Sequence, residues 1–205
     1  IVTRTDPGCA PLEELCGRAV DQIRVQVVDE SDRPIPACDV GEICVMPATT
    51  GVYANIYTIM LGYWNKPEAS AVALSEGMYH TGDVGYLDEL GQLFIRGRQN
   101  DLIIRGGSNV YPAEVERVIC SHPSVADAAV LGIQDDRLGQ RVVAVLEHSD
   151  MSGTIDEVSL ITEIQSYCRE KIARYKVPQQ IVFIEKLPRN AMNKIIKLQL
   201  VNLFE

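Results

Sequence analysis

The sequence predicts an α+β fold, with a β-rich first part followed by a smaller part in which a short antiparallel sheet is flanked by helices. Three observations carry this expectation. Up to about residue 96, β-branched runs are separated by polar turns, whereas beyond residue 97 short strands alternate with segments of helical periodicity. Between them, Gly97-Arg98-Gln99-Asn100-Asp101 is short and polar enough to serve as a hinge. Residues 1–96, 97–101 and 102–205 are therefore read as a β-rich unit, a hinge and a small α+β unit.

In the first part, residues 23–28 and 41–45 have strand character and are joined by the turn-rich 29–34. Pro67 is suited to opening a short helix that runs to Leu74. Residues 84–87 and 92–96 flank Asp88-Glu89-Leu90-Gly91, a hairpin pattern with glycine at the tight position. In the second part, a strand at 102–104 leads to Gly106-Gly107, which permits positive φ at a sharp turn. Pro112 starts a helix with Val115, Val118 and Ile119 on one face, ending near His122-Pro123. Residues 125–133 and 142–146 are expected to pair as antiparallel strands. Leu160, Ile164, Cys168 and Ile172 mark a helix that 176–178 ends, before a last strand at 181–185 and a terminal helix at 195–203.

The 205 residues are 46% hydrophobic and 23% charged, which excludes a disordered or fibrous chain. Nineteen basic against 28 acidic residues give a net charge of −9, which argues against a broad nucleic-acid or anionic-membrane surface but not against a local phosphate pocket. Apolar runs such as 128–131 fall far short of the roughly 18 residues that a membrane helix needs. Cys9, Cys16, Cys38, Cys44, Cys120 and Cys168 lack metal-ligand spacing, so reduced, buried thiols in a cytoplasmic protein are expected and no metal site is assigned. Ile1-Val2-Thr3-Arg4 reads as the interior of a longer chain.

Several residues could carry chemistry. Asp83, in Tyr79-His80-Thr81-Gly82-Asp83, can accept two hydrogen bonds from a vicinal diol such as ribose, or simply close an Asx turn. Arg98 could reach the same sugar or a phosphate, or close a hairpin at the surface. Gly106-Gly107 lacks the spacing of a phosphate loop and is either a tight turn or a place where a narrow ligand approaches the backbone. Lys194, in Leu187-Pro188-Arg189-Asn190-Ala191-Met192-Asn193-Lys194, could set a compact positive charge against a developing phosphate charge, or be a solvated lysine. His80 shows no metal-ligand partner in sequence and reads as a surface or packing residue. Glu114 and Glu116 diverge on their helix and read as solvated.

The order of these signals is more specific than any one of them. Gly41-Glu42-Ile43, Gly62-Tyr63-Trp64-Asn65-Lys66-Pro67-Glu68, Tyr79 to Asp83, Gly97-Arg98 through Asn109-Val110-Tyr111-Pro112-Ala113-Glu114-Val115-Glu116, Tyr175-Lys176-Val177-Pro178 and Leu187 to Lys194 together resemble the C-terminal portion of an acyl-CoA synthetase. That family belongs to the adenylate-forming (AMP-binding) superfamily, with nonribosomal-peptide adenylation domains and beetle luciferases. The resemblance implies that 1–96 is the end of a large N-terminal domain, including part of its distorted β-barrel, and that 102–205 is a small mobile C-terminal domain. It implies an ATP-dependent carboxylic acid:CoA ligase, with ATP, Mg2+ and coenzyme A as cofactors and substrates. Fatty, aromatic and other ring-derived acids remain open.

By the same resemblance Asp83 holds the ribose hydroxyls, Arg98 assists there, and Lys194 bridges carboxylate and α-phosphate during adenylation. Asn100 matches the pivot, and Gly106 and Gly107 lie beside the pantetheine arm of CoA. Two positions depart from the family pattern. Asn193 replaces the usual glycine, a substitution that tolerates positive φ, and Asn100 replaces a charged hinge residue. Because the phosphate loop and acid pocket of the family lie upstream of Ile1, the chain alone is expected to be inactive and, with a partial barrel exposed, to self-associate. Acetylation of Lys194 is expected to block adenylation. The alternatives are an acid:carrier-protein ligase, against which 109–112 favours free CoA, and a noncatalytic binding module.

Overall fold

The computed structural model describes residues 2–5, 14–54, 56–149 and 156–204. Within it the chain forms two compact units, Ile1–Asn100 and Asp101–Glu205.

The first unit is built on a six-stranded sheet, in the order β1-β2-β6-β5-β4-β3, with every neighbouring pair antiparallel. Its strands are β1 (Thr3–Arg4), β2 (Leu15–Ala19), β3 (Ile23–Val28), β4 (Gly41–Pro47), β5 (Tyr79–Leu87) and β6 (Gln92–Arg98). The turn after β3 is closed by Asp29, whose Oδ1 accepts the N–H of Ser31 and Arg33. The β5–β6 turn works in the same way, with Asp88 Oδ1 accepting the N–H of Leu90 and Gln92. Helix α1 (Pro67–Ala73) has proline in its first turn and buries no residue. Val28, Cys44, Met46 and Met78 form one small core cluster, and Val25, Ile43 and Leu93 another.

In the second unit, β7 (Ile103–Arg105) and β8 (Ser108–Val110) form a hairpin, followed by helix α2 (Pro112–Cys120). The long strands β9 (Val125–Asp135) and β10 (Gly139–His148) pair antiparallel, helix α3 (Glu157–Lys171) crosses over, and β11 (Gln180–Ile184) returns parallel to β10. One parallel pair thus joins the antiparallel sheet, as a strand reached through a crossover helix allows. The continuous apolar run Val142 to Leu146 is explained by burial on both faces. Val142, Ala144 and Leu146 pack with Val115 and Ile119 of α2 and Leu160, Ile164 and Cys168 of α3, while Val143 and Val145 pack with Leu187, Leu200 and Phe204.

Two helix expectations are corrected. Helix α3 stops at Lys171, with Ile172 already extended, and 174–176 is a separate single 3-10 turn. The terminal segment is a 3-10 helix, Lys197–Leu203, and not an α-helix. The described cysteines are all free thiols, but only Cys44 and Cys168 are fully buried; Cys16 is half-buried, and Cys38 and Cys120 are exposed. Cys38 is carried out by a turn in which its own φ is +70°, so the expectation of uniformly buried thiols fails there. Cys9 and Ile1 lie outside the described residues. Among those residues, no helix is long and apolar enough to cross a membrane.

Candidate active-site residues in the two units

Asp83 and Arg98 face each other across β5 and β6, and the Arg98 Nε lies 2.9 Å from Asp83 Oδ1. Register shifts occur on both sides of Asp83, between Glu42 and Cys44 where β4 meets β5 and between Val84 and Gly85 where β5 meets β6. Such bulges re-aim a side chain out of the strand alternation. The local backbone is held by side chains: the Thr81 hydroxyl donates to the Ile43 carbonyl at 2.7 Å and accepts the Asp83 N–H at 3.1 Å. The turn function is therefore served by Thr81, not by the Asp83 carboxylate. Among the described residues, Arg98 engages one Asp83 oxygen and Oδ2 has no hydrogen-bond partner, so it can accept a hydroxyl.

Behind this loop lies a residue that the sequence left unmarked as a site. Glu42 Oε1 accepts the Gly82 N–H at 3.1 Å, and its Oε2 lies 3.0 Å from His80 Nδ1. Cys44 Sγ is 3.5 Å from the same nitrogen. His80 is thus not partnerless, as its place in sequence suggested, because strand pairing sets it opposite Cys44 and the i, i+2 spacing puts Glu42 on the same face. Burial, reinforced by the charges of Glu42 and Asp32, pushes the Cys44 thiol up to about 12, so it stays protonated at neutral pH. With both Glu42 oxygens engaged, the trio's first role is to brace the segment that presents Asp83.

In the second unit, Gly106 and Gly107 form the β7–β8 turn with φ of +56° and +81°. Two consecutive positive φ values define the tight hairpin turn that glycine makes at least cost. The Gly106 N–H donates to the Leu138 carbonyl at 2.7 Å. A β-carbon built on Gly107 would meet nothing within 4 Å, so the backbone there is open to a narrow ligand.

Lys194 is exposed and makes no ion pair among the described residues. Asn190 shapes its loop: the Asn190 side-chain oxygen accepts the N–H of Met192 and Lys194 at 3.0 and 2.9 Å, while its own N–H donates to the Lys194 carbonyl at 2.9 Å. Asn193 has φ of +63°, the left-handed conformation that the family's usual glycine takes without strain. Asn100 is exposed, within the single 3-10 turn Gln99–Asp101, and is the last residue of the first unit.

Glu114 and Glu116 do diverge, but neither is simply solvated. Glu114 pairs with Lys176 at 2.6 Å, and Glu116 with Lys197 at 2.7 Å. Both cations come from segments beyond α3, which spacing on the helix cannot reveal.

A family model described as AMP-binding enzyme C-terminal domain matches residues 114–194. The 2-succinylbenzoate–CoA ligase of Bacillus cereus (strain Q1) is 44% identical over 172 residues, covering 83% of this chain and 32% of that protein. Among solved structures, o-succinylbenzoate CoA synthetase (MenE) from Bacillus subtilis, in complex with the acyl-adenylate intermediate OSB-AMP, superposes with a TM-score of 0.78 at 34% identity, covering 91% of this chain and 35% of that one. The amide bond synthetase McbA from Marinactinospora thermotolerans gives 0.77 at 31%, covering 94% and 37%. Residues 114–194 thus match the C-terminal domain of AMP-binding enzymes, and most of the chain is similar to part of solved adenylate-forming enzymes. The chain spans about a third of the length of the curated relatives it matches. Their names carry an aromatic acid and give the fatty-acid expectation no support.

Proposed function

We propose that this chain works as the C-terminal part of an AMP-forming carboxylic acid:CoA ligase acting on an aromatic acid of the 2-succinylbenzoate type. The observation that carries the reading is 44% identity, over most of the chain, to a ligase of that name. In the first step, a carboxylate oxygen of the acid attacks the α-phosphorus of ATP, the bond to the β-phosphate oxygen breaks, and pyrophosphate leaves. In the second, the CoA thiol, losing its proton, attacks the acyl carbon and AMP departs. Magnesium arrives bound to the triphosphate, as part of the substrate.

Asp83 suits the ribose, since Oδ2 is available while Arg98 holds Oδ1. Lys194 sets its ammonium against the negative charge that grows at the α-phosphate, where a fixed charge lowers the barrier most. The open backbone at Gly107 suits the pantetheine arm. Asn100 would serve as the pivot between the steps, with 1–96 and 102–205 moving as separate bodies in a cytoplasmic enzyme. The likeness to an amide bond synthetase gives a second reading of the second step, in which an amine replaces the thiol. The left-handed φ of Asn193 weakens the noncatalytic alternative, because the loop keeps its form without the glycine.

The test is ATP–pyrophosphate exchange by the full-length protein carrying this sequence, across aromatic and fatty acids, followed by AMP release with CoA or with amines. Exchange is expected with an aromatic acid and should fall about 10²- to 10³-fold in Lys194→Ala. Full exchange in that variant would show the lysine misassigned. No exchange with any acid would overturn the ligase reading.

A further inference from the structure

The loop that carries Lys194 is tied down at both of its ends. At its start, Arg189 forms an ion pair with Asp127 of β9, and its second guanidinium nitrogen donates to the Asn193 carbonyl at 3.1 Å. At its end, the Lys197 ammonium lies 2.7 Å from Glu116 Oε1 and donates to the Val130 carbonyl at 3.0 Å. Glu116 Oε1 also accepts the Val130 N–H at 2.8 Å, so that one carboxylate of α2 joins helix, strand and loop. Between these ties the backbone closes on itself, with Arg189 bridged to Ile195 and the Ile196 N–H donating to the Pro188 carbonyl at 2.8 Å. All four charged side chains are half-buried, with 22–34% of each exposed. Lys194, between the ties, is exposed and lacks an ion pair among the described residues.

Neither tie touches the Lys194 side chain, yet together they fix the backbone from which it projects. A long, flexible lysine stem gains precision only from a fixed origin, and misplacing a reacting group by about 1 Å can cost about 10²-fold in rate. We propose that Glu116 and Asp127 are positioning residues for Lys194, acting through Lys197 and Arg189 to hold the two ends of the 188–197 loop against β9. The inference rests on the reading of Lys194 as the adenylation lysine. It separates the two glutamates of α2, since Glu114 pairs with Lys176 and has no tie to the loop.

The test compares Glu116→Gln, Lys197→Met, Lys197→Arg and Glu114→Gln in the full-length protein. Because Lys194 is needed only to form the adenylate, Glu116→Gln and Lys197→Met should lower kcat of ATP–pyrophosphate exchange about 10-fold or more with little change in KM for ATP. CoA consumption of a supplied acyl-adenylate should stay within about twofold, Lys197→Arg should restore exchange, and Glu114→Gln should leave it unchanged. In a Lys194→Ala background, Glu116→Gln should add nothing, since a residue acting only through another is silent once that other is gone. Equal loss in both half-reactions, or an additive loss in the Lys194→Ala background, would overturn the proposal. Hydrogen exchange at the Lys194 and Ile196 amides reads the clamp without turnover. Faster exchange in Glu116→Gln supports it, and unchanged protection overturns it, even if the wild type activates no acid and the ligase reading fails.

Discussion

Asn193 gives the loop that carries Lys194 a left-handed backbone angle. Its φ of +63° lies where a β-carbon costs about 1–2 kcal/mol, a cost that asparagine bears better than most residues and glycine does not bear at all. Asn193→Gly should therefore keep pyrophosphate exchange and the thermal midpoint at or above wild type. Asn193→Val, β-branched and disfavoured at positive φ, should lower exchange about 10-fold or more by shifting Lys194; a valine variant as active as the wild type would show that the loop does not depend on this angle. Asp83, Arg98 and Lys194 were singled out as candidates only through the order of motifs around them, because each alone is an ordinary polar residue. The contacts of Glu42, Asp127 and Glu116 were not legible, because their partners are brought close only by folding. Arg189 is 62 residues from Asp127, and no local pattern encodes that distance.

At the scale of elements, the β7–β8 hairpin exposes what a short strand owes to its partner. Ser108–Val110 has neither length nor alternation, and becomes β8 because Gly106 and Gly107 reverse the chain and Ile103 pairs with Val110. For the same reason Leu15–Ala19 became a strand through its pairing with β1 and β6. By contrast, the helices with strong periodicity and the hairpin around Asp88 were readable, since the signal and the physical cause lie within a few residues of each other. The ends were less readable: α3 stops where Ile172 turns extended, before the proline that seemed to end it in sequence. Gly107 allows a test specific to its element. At φ +81° with open space around it, Gly107→Val strains the turn without a steric clash inside the fold. It should lower stability by about 1–2 kcal/mol, leave pyrophosphate exchange near wild type and slow thioester formation, the step that needs the backbone left bare. Slowing of both steps alike would place the thiol path elsewhere.

For the whole molecule, the sequence changes character near residue 97, and the structure divides into units between Asn100 and Asp101. What composition could not convey is how unequally the two are built. In the second unit Val142 to Leu146 is wholly buried on both faces, packed with α2, α3 and the C-terminal segment. In the first unit the clusters of buried residues are small, Val28 with Cys44, Met46 and Met78 in one and Val25 with Ile43 and Leu93 in the other. Each fully buried aliphatic side chain contributes about 1.5–3 kcal/mol, so a continuous core makes its unit cooperative in a way that small clusters do not. Amides of β9 and β10 should consequently outlast those of β3 and β4 in native-state hydrogen exchange of this chain. A chain of residues 101–205 alone should unfold in urea at the midpoint shown by β9 and β10 in the longer chain. Equal protection in both sheets, with one shared midpoint lost when the units are separated, would mean that the second unit draws its stability from the first.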